Sequence, residues 1–119
     1  MQDKNISVTI EPCPSIPDLK IITIKGTIDL STSKDVDKTV LSVIDKGDSH
    51  IIIDLRKLDY LSSIGMMSLT NYVLRSRTQK RQVKFVKPFK PIYDTMAFFG
   101  FTKKFDMYDS LEDAIDTFR

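Results

Sequence analysis

The stretch His50-Ile51-Ile52-Ile53-Asp54-Leu55 constrains this chain more than any other. A strand with one wet face alternates polar and apolar residues. This one does not alternate, so both its faces must be covered, as in a parallel sheet flanked by helices. It is far too short to cross a membrane, which takes about 20 residues. Asp54 is its one polar interruption.

The surrounding sequence agrees with such a sheet. Residues 5–11 alternate, with Ile6, Val8 and Ile10 set against Ser7 and Thr9, and read as a half-exposed strand. Pro12, Pro14 and Pro17 make a turn-rich link to a β-branched strand over residues 19–25, ended by Gly26. A helix starting at Ser31 or Thr32 carries Val36, Val40, Val43 and Ile44 and stops at Gly47-Asp48. Residues 64–79 read as a helix whose buried side is Met66, Leu69 and Val73 together with Met67 and Leu74. A strand over 83–86 follows. Pro91 opens a helix with the stripe Ile92, Met96 and Phe99, closed by Gly100. Residues 105–108 give a last strand. Asp109 with Glu112 makes a capping-box-like start for a final helix bearing Leu111, Ala114, Ile115 and Phe118.

The predicted order is β-β-α-β-α-β-α-β-α. It describes an α/β fold with a mostly parallel sheet of about five strands, an antiparallel edge strand and about four helices. At 119 residues the chain is expected to form a single domain over 1–119. Apolar residues at 41% and charged residues at 29% match a soluble globular protein. The first five residues lack the pattern of a secretory signal, and the lone Cys13 has no disulfide partner, so a cytoplasmic location is expected. A net charge of +2 is too small to argue for nucleic acid.

The segment from Asp54 to Gly65 runs from the buried strand through a loop into a helix start. Within it, Leu61-Ser62-Ser63-Ile64-Gly65 resembles the Ser-Ser-Ala-Gly variant of the STAS family's signature, with Ile64 in the Ala position. Gly26-Thr27-Ile28-Asp29 is similar to the family's Gly-x-Ile/Leu-Asp after the second strand. The stretch from Val83 through Pro91 and Phe98-Phe99-Gly100-Phe101 to the closing Ser110–Ala114 helix follows the family's plan. The resemblance covers roughly Ile6 to Phe118. Two departures stand out: Ser62 occupies a position where the family usually has Asp, and Met67 one that is often small or basic.

This resemblance implies a bacterial anti-sigma factor antagonist. Ser63 is then the residue phosphorylated by an anti-sigma factor with serine kinase activity, and a protein serine phosphatase reverses the mark. Asp29, Ser62, Ser63, Ile64, Gly65 and Met66 become the partner-binding residues. No cofactor, metal, direct nucleic-acid contact or membrane insertion is implied, and the chain is expected as a monomer or weak dimer. A second function compatible with the departure at Ser62 is a non-phosphorylated STAS scaffold subunit in a stress-sensing or transporter complex. A ligand- or nucleic-acid-binding domain using the basic stretch ranks third.

Plainer readings exist for the same residues. Serines before an apolar helical run are ordinary caps, Asp29 suits a turn, and Asp54 suits a hydrogen bond to loop backbone. Phe98, Phe99 and Phe101 suit helix-end packing. Between Leu61 and Tyr93 there is no acid, while Arg75, Arg77, Lys80, Arg81, Lys84, Lys87 and Lys90 all fall there. Cations at a helix C-terminus and a solvated strand end account for these without a ligand.

Catalysis is not expected. Leu61 stands where a G-x-S-x-G elbow needs its first Gly. The single histidine, His50, opens the strand whose far end leads to Ser63, which separates them by about 17–20 Å. No phosphate-binding glycine loop and no metal-ligand spacing occurs.

Overall fold

Ile51, Ile52 and Ile53 are completely buried in the computed structural model, which describes residues 5–119. They lie in β3 (His50–Asp54), at the centre of a sheet that also contains β1 (Ile6–Pro12), β2 (Leu19–Ile28), β5 (Val83–Val86) and β6 (Met107–Tyr108). The order across the sheet is β1-β2-β3-β5-β6. Only β1 runs antiparallel, pairing with β2 from Ile6 opposite Gly26 to Pro12 opposite Lys20. The remaining pairs are parallel.

The two-residue period of the strands sorts the core into two layers. Ile22, Ile24, Ile51, Ile53 and Phe85 face α1 (Ser33–Ile44), α2 (Ser63–Thr78) and α3 (Lys90–Phe98). Leu19, Ile52 and Val86 face the other way, toward Cys13, Ile16 and Ala114 of α5 (Leu111–Asp116). Each fully buried isoleucine is worth roughly 1.5–3 kcal/mol of transfer free energy, so this strand anchors both layers.

Several elements depart from the sequence expectation. β2 continues through Gly26, whose φ of 111° is open to glycine and strained for other residues. A Cβ there would collide with the carbonyl of Asn5, just before β1. An additional strand, β4 (Leu58–Leu61), occupies part of the expected loop after β3. It pairs with the end of β2, Gly26 opposite Leu58 and Ile28 opposite Leu61, across a register shift between Gly26 and Thr27. With only Leu58 and Leu61 turned inward and Asp59 and Tyr60 exposed, its alternation is too brief to read.

A one-turn helix, α4 (Phe101–Lys104), follows Gly100, and Phe101 packs its ring against Phe85 at 5.6 Å. It takes residues next to the expected last strand, which shrinks to Met107–Tyr108. Ser110, not Asp109, caps α5, its Oγ accepting from the Asp113 N–H at 3.0 Å. Asp109 turns out to pair with Lys87 at 2.8 Å.

The expected buried side of α2 is half right. Met66, Leu69 and Val73 are inside, joined by Tyr72, which is fully buried and donates its hydroxyl hydrogen to Asp37 of α1. Met67 and Leu74 are not: they are 70% and 49% exposed. At about 100° per residue they lie on a face of their own, beyond the sheet's reach. Phe99 likewise leaves the stripe of Ile92 and Met96, because α3 ends at Phe98 and the chain turns there.

Candidate functional site

Parallel strands joined by crossover helices bring the starts of α1, α2 and α3 to one end of the sheet, beyond the strands' carboxyl ends. The β2–β4 pairing then places Ser62 beside the end of β2, its N–H donating to the Ile28 carbonyl at 2.9 Å. Ser62 is the N-cap of α2: its Oγ accepts from the Gly65 N–H at 3.1 Å, and its carbonyl accepts from the Met66 N–H. Such caps contribute about 1 kcal/mol.

Ser63 is in a different situation. It is the first residue of α2, it is exposed, and its hydroxyl makes no hydrogen bond among the described residues. Gly65 sits buried one turn inside. A Cβ on it would strike the Leu61 side chain and press within 3.0 Å of Ile28 Cγ2 and 3.1 Å of the Ile28 carbonyl. This glycine lets α2 lie directly against β2 and β4, which fixes where Ser63 emerges. The first turn of α2 carries no acid, so the positive end of its dipole is uncompensated.

The other site residues expected from sequence gather nearby in different states. Ile64 is half-buried, and Met66 is buried but lines the surface grooves beside Ser63. Asp29 follows Ile28 and closes a turn, accepting from the Ser31 N–H at 2.9 Å and the Ser31 hydroxyl at 2.7 Å. The Ser31 hydroxyl bond, reinforced by the backbone bonds, outweighs partial desolvation and holds the Asp29 carboxyl below its usual range. It makes no hydrogen bond to Ser62 or Ser63. Thr32 supports the same turn from inside, donating to the Thr27 carbonyl at 2.7 Å.

Asp54 has the structural role expected of it, and more. It is buried, and it accepts from Arg56 through the backbone N–H at 3.0 Å and through the guanidinium at 3.0 and 2.7 Å. Burial pushes its carboxyl up, but the Arg56 hydrogen bonds outweigh this and leave it below the ordinary range. The clamp shapes the bend between β3 and β4 and so aims the chain at Ser62.

Two open grooves meet at Ser63. One, of about 410 Å³, runs along α2 toward Phe99 and Phe105. The other, of about 440 Å³, lies between Tyr60 and the start of α3 at Phe89 and Pro91. Met66 and Phe99 belong to both. Tyr60, Met67, Phe89 and Phe99 are exposed here, and Leu30 stands 75% exposed just after Asp29. The sequence reading did not single out Leu30, Tyr60 or Phe89. None of the three lies on α2; each is a lone apolar residue in a turn, a four-residue strand or a loop, where no periodicity marks it.

The basic segment is largely committed elsewhere. Arg75 pairs with Asp45, Arg81 with Asp18, Lys87 with Asp109 and Lys90 with Asp94. Lys84 is buried, donating to Thr117 Oγ1 at 2.9 Å with its ammonium 4.6 Å from the Phe118 ring centroid. Among the described residues no group of three potential metal ligands gathers, and no helix is long and apolar enough to cross a membrane.

A free hydroxyl at a helix start thus lies among exposed apolar side chains at the carboxyl end of a parallel sheet in an α/β fold. The chain belongs to the STAS domain family, whose profile matches residues 12–114. It is 27% identical over 108 residues to BtrV of Bordetella bronchiseptica, described as a candidate anti-sigma factor antagonist, covering 87% of this chain and 90% of that one. In fold it is similar to an anti-sigma factor antagonist from Mycobacterium paratuberculosis, with a TM-score of 0.83 at 20% identity over 94% of this chain and 92% of that chain. It is also similar to SpoIIAA, an anti-sigma factor antagonist and Bacillus cell fate determinant solved in unphosphorylated and phosphorylated forms. Those TM-scores are 0.72 and 0.70 at 17% identity, over 95% of this chain and 98% and 100% of the two SpoIIAA chains.

Proposed function

We propose that this protein is an anti-sigma factor antagonist switched at Ser63. In this reading the unphosphorylated form binds an anti-sigma factor with serine kinase activity and frees the sigma factor. Phosphorylation of Ser63 ends the binding, and a serine phosphatase restores it. One observation carries the proposal: of two adjacent serines, Ser62 has its hydroxyl committed as a cap, and Ser63 holds its own free at the junction of two apolar grooves.

The physical consequences follow from charge. A phosphate adds about 1.5–2 negative charges at neutral pH. The uncompensated start of α2 accommodates that charge, so the fold survives it. A partner surface packed over the hydroxyl does not, because burying an unpaired charge costs several kcal/mol. At about 1.4 kcal/mol per decade, that is a loss of two or more decades in affinity. Ser62 in place of the family's usual Asp keeps the capping function, since Ser and Asp cap equally well, and removes one negative charge from the approach.

Support comes from the STAS membership and from the fold likeness to SpoIIAA, a protein known in phosphorylated form. The test is phosphopeptide mass spectrometry on protein from its native cells, grown with and without stress. Cleavage after Lys57 and Arg75 isolates Leu58 to Arg75, which carries Ser62, Ser63, Ser68 and Thr70. Ser68 is buried and Thr70 donates to the Met66 carbonyl, so phosphate is expected on Ser63 with an occupancy that changes with conditions. A peptide unmodified in every condition contradicts the switch and favours a non-phosphorylated scaffold subunit.

A further inference from the structure

We infer that the groove along α2 receives an amphipathic helix from the partner, with an apolar stripe and acidic residues along its rim. This deepens the reading of the Ser63 surface as a contact site and rests on it.

The groove follows one face of α2. Along α2 it is lined by Ser63, Met66, Met67, Thr70, Asn71 and Leu74. These positions follow the i, i+3, i+4, i+7, i+8, i+11 spacing of a single helical face, about 16 Å long. Phe99, Phe101 and Phe105 supply the opposite wall. An elongated, open, apolar trough between a helix and a row of aromatic rings fits the ridge of another helix, with anchors repeating every three to four residues. A face of α2 that includes Met67 and Leu74 has no counterpart among the described residues to cover it.

Charge selects the kind of helix. Lys104 is the one charged residue lining the groove, and no acid lines it. Lys103, next to it in α4, makes no ion pair among the described residues. The groove on the other side of Ser63 carries Asp59 and lacks any cation, so the preference belongs to this groove alone. An acidic rim on the incoming helix matches Lys104 at one edge and lies against Ser63 at the head of the trough. A phosphate there repels that helix by like charge as well as by bulk, which gives the switch a specific target.

The experiment is a two-dimensional amide NMR titration of the full chain with two synthetic amphipathic peptides sharing one leucine stripe. One peptide carries Glu at the rim positions and the other carries Lys. The expected result is that the Glu peptide shifts the amides of Met67, Thr70, Asn71, Leu74 and Phe99 at concentrations up to about 1 mM, and binds several-fold tighter than the Lys peptide. Lys104→Glu should reverse that preference. Leu74→Glu, at an exposed position, should weaken the Glu peptide by about tenfold or more with the circular dichroism spectrum unchanged. Equal binding of both peptides, shifts confined to Asp59, Tyr60 and Phe89, or no shifts with either peptide would overturn the inference. Failure here with a phosphorylated Ser63 in cells removes the acidic helix and leaves the switch. Success here with Ser63 unmodified removes the switch and leaves the groove.

Discussion

The two ends of the sheet differ in what they leave exposed. At the end where the parallel strands begin, polar groups interlock. The His50 N–H donates to the Asp18 carbonyl, the Gln82 N–H donates to His50 Nδ1 at 3.1 Å, and Arg81 bridges the Gly47 carbonyl and Asp18 at 3.1 Å each. At the end where the strands finish, Leu30, Tyr60, Phe89 and Phe99 stand exposed around an unbonded serine hydroxyl. One end spends its polar groups on itself and holds the fold. The other also ties polar groups together, Asp54 to Arg56 and Asp29 to Ser31, yet leaves apolar area and one free hydroxyl exposed.

That contrast can be attacked from either side. The largest expected effect is Gly65→Ala. A helix-interior Ala normally stabilises, but here the methyl group meets Leu61 and Ile28, so the change should cost about 1–3 kcal/mol. Chemical denaturation would show it, and partner binding should weaken as Ser63 shifts. A more stable variant would mean that α2 is not seated against β2 and β4 as described.

Arg81→Ala should cost about 1 kcal/mol, since its contacts are partly exposed. The melting temperature should fall by roughly 3–6 °C while partner binding stays as it was. A binding loss would break the division between the two ends.

The smallest effect concerns pH. Burial, then the charge of Arg81, holds the His50 imidazole below its ordinary value, with Asp18 opposing. The Gln82 N–H bond to Nδ1 is consistent with the neutral ring. A histidine depressed in the folded state takes up a proton on unfolding. Its stabilising contribution is therefore full above the unfolded value of about 6.5 and is lost as pH falls below it. Thermal melts at about pH 7.5 and pH 5.5 should show a small drop that His50→Asn abolishes. A rise in stability at the lower pH would reverse the sign of this account.

Much of the fold was legible because its signals were long or doubled. The Ile51–Ile53 run required cover on both faces, and the alternation from Ile6 to Ile10 marked the antiparallel edge. β4 and α4 were not legible, because four residues carry too little periodicity to outweigh their flanks. At the candidate site, motif resemblance singled out Ser62 and Ser63, but which of the two hydroxyls is committed to a cap is a matter of hydrogen-bond geometry. Met67, Leu74 and Phe99 misled for a physical reason: apolar residues at helical spacing ordinarily face the core, and these face a groove on the surface.

The central claim is that charge at Ser63 decides partner binding. The most direct measurement is titration calorimetry of the kinase-type anti-sigma factor from the same cells against the unmodified protein, Ser63→Ala and Ser63→Asp. The account predicts that unmodified and Ala proteins bind alike and that the Asp variant binds about a hundredfold more weakly, or not at all. Equal affinity for all three would contradict it.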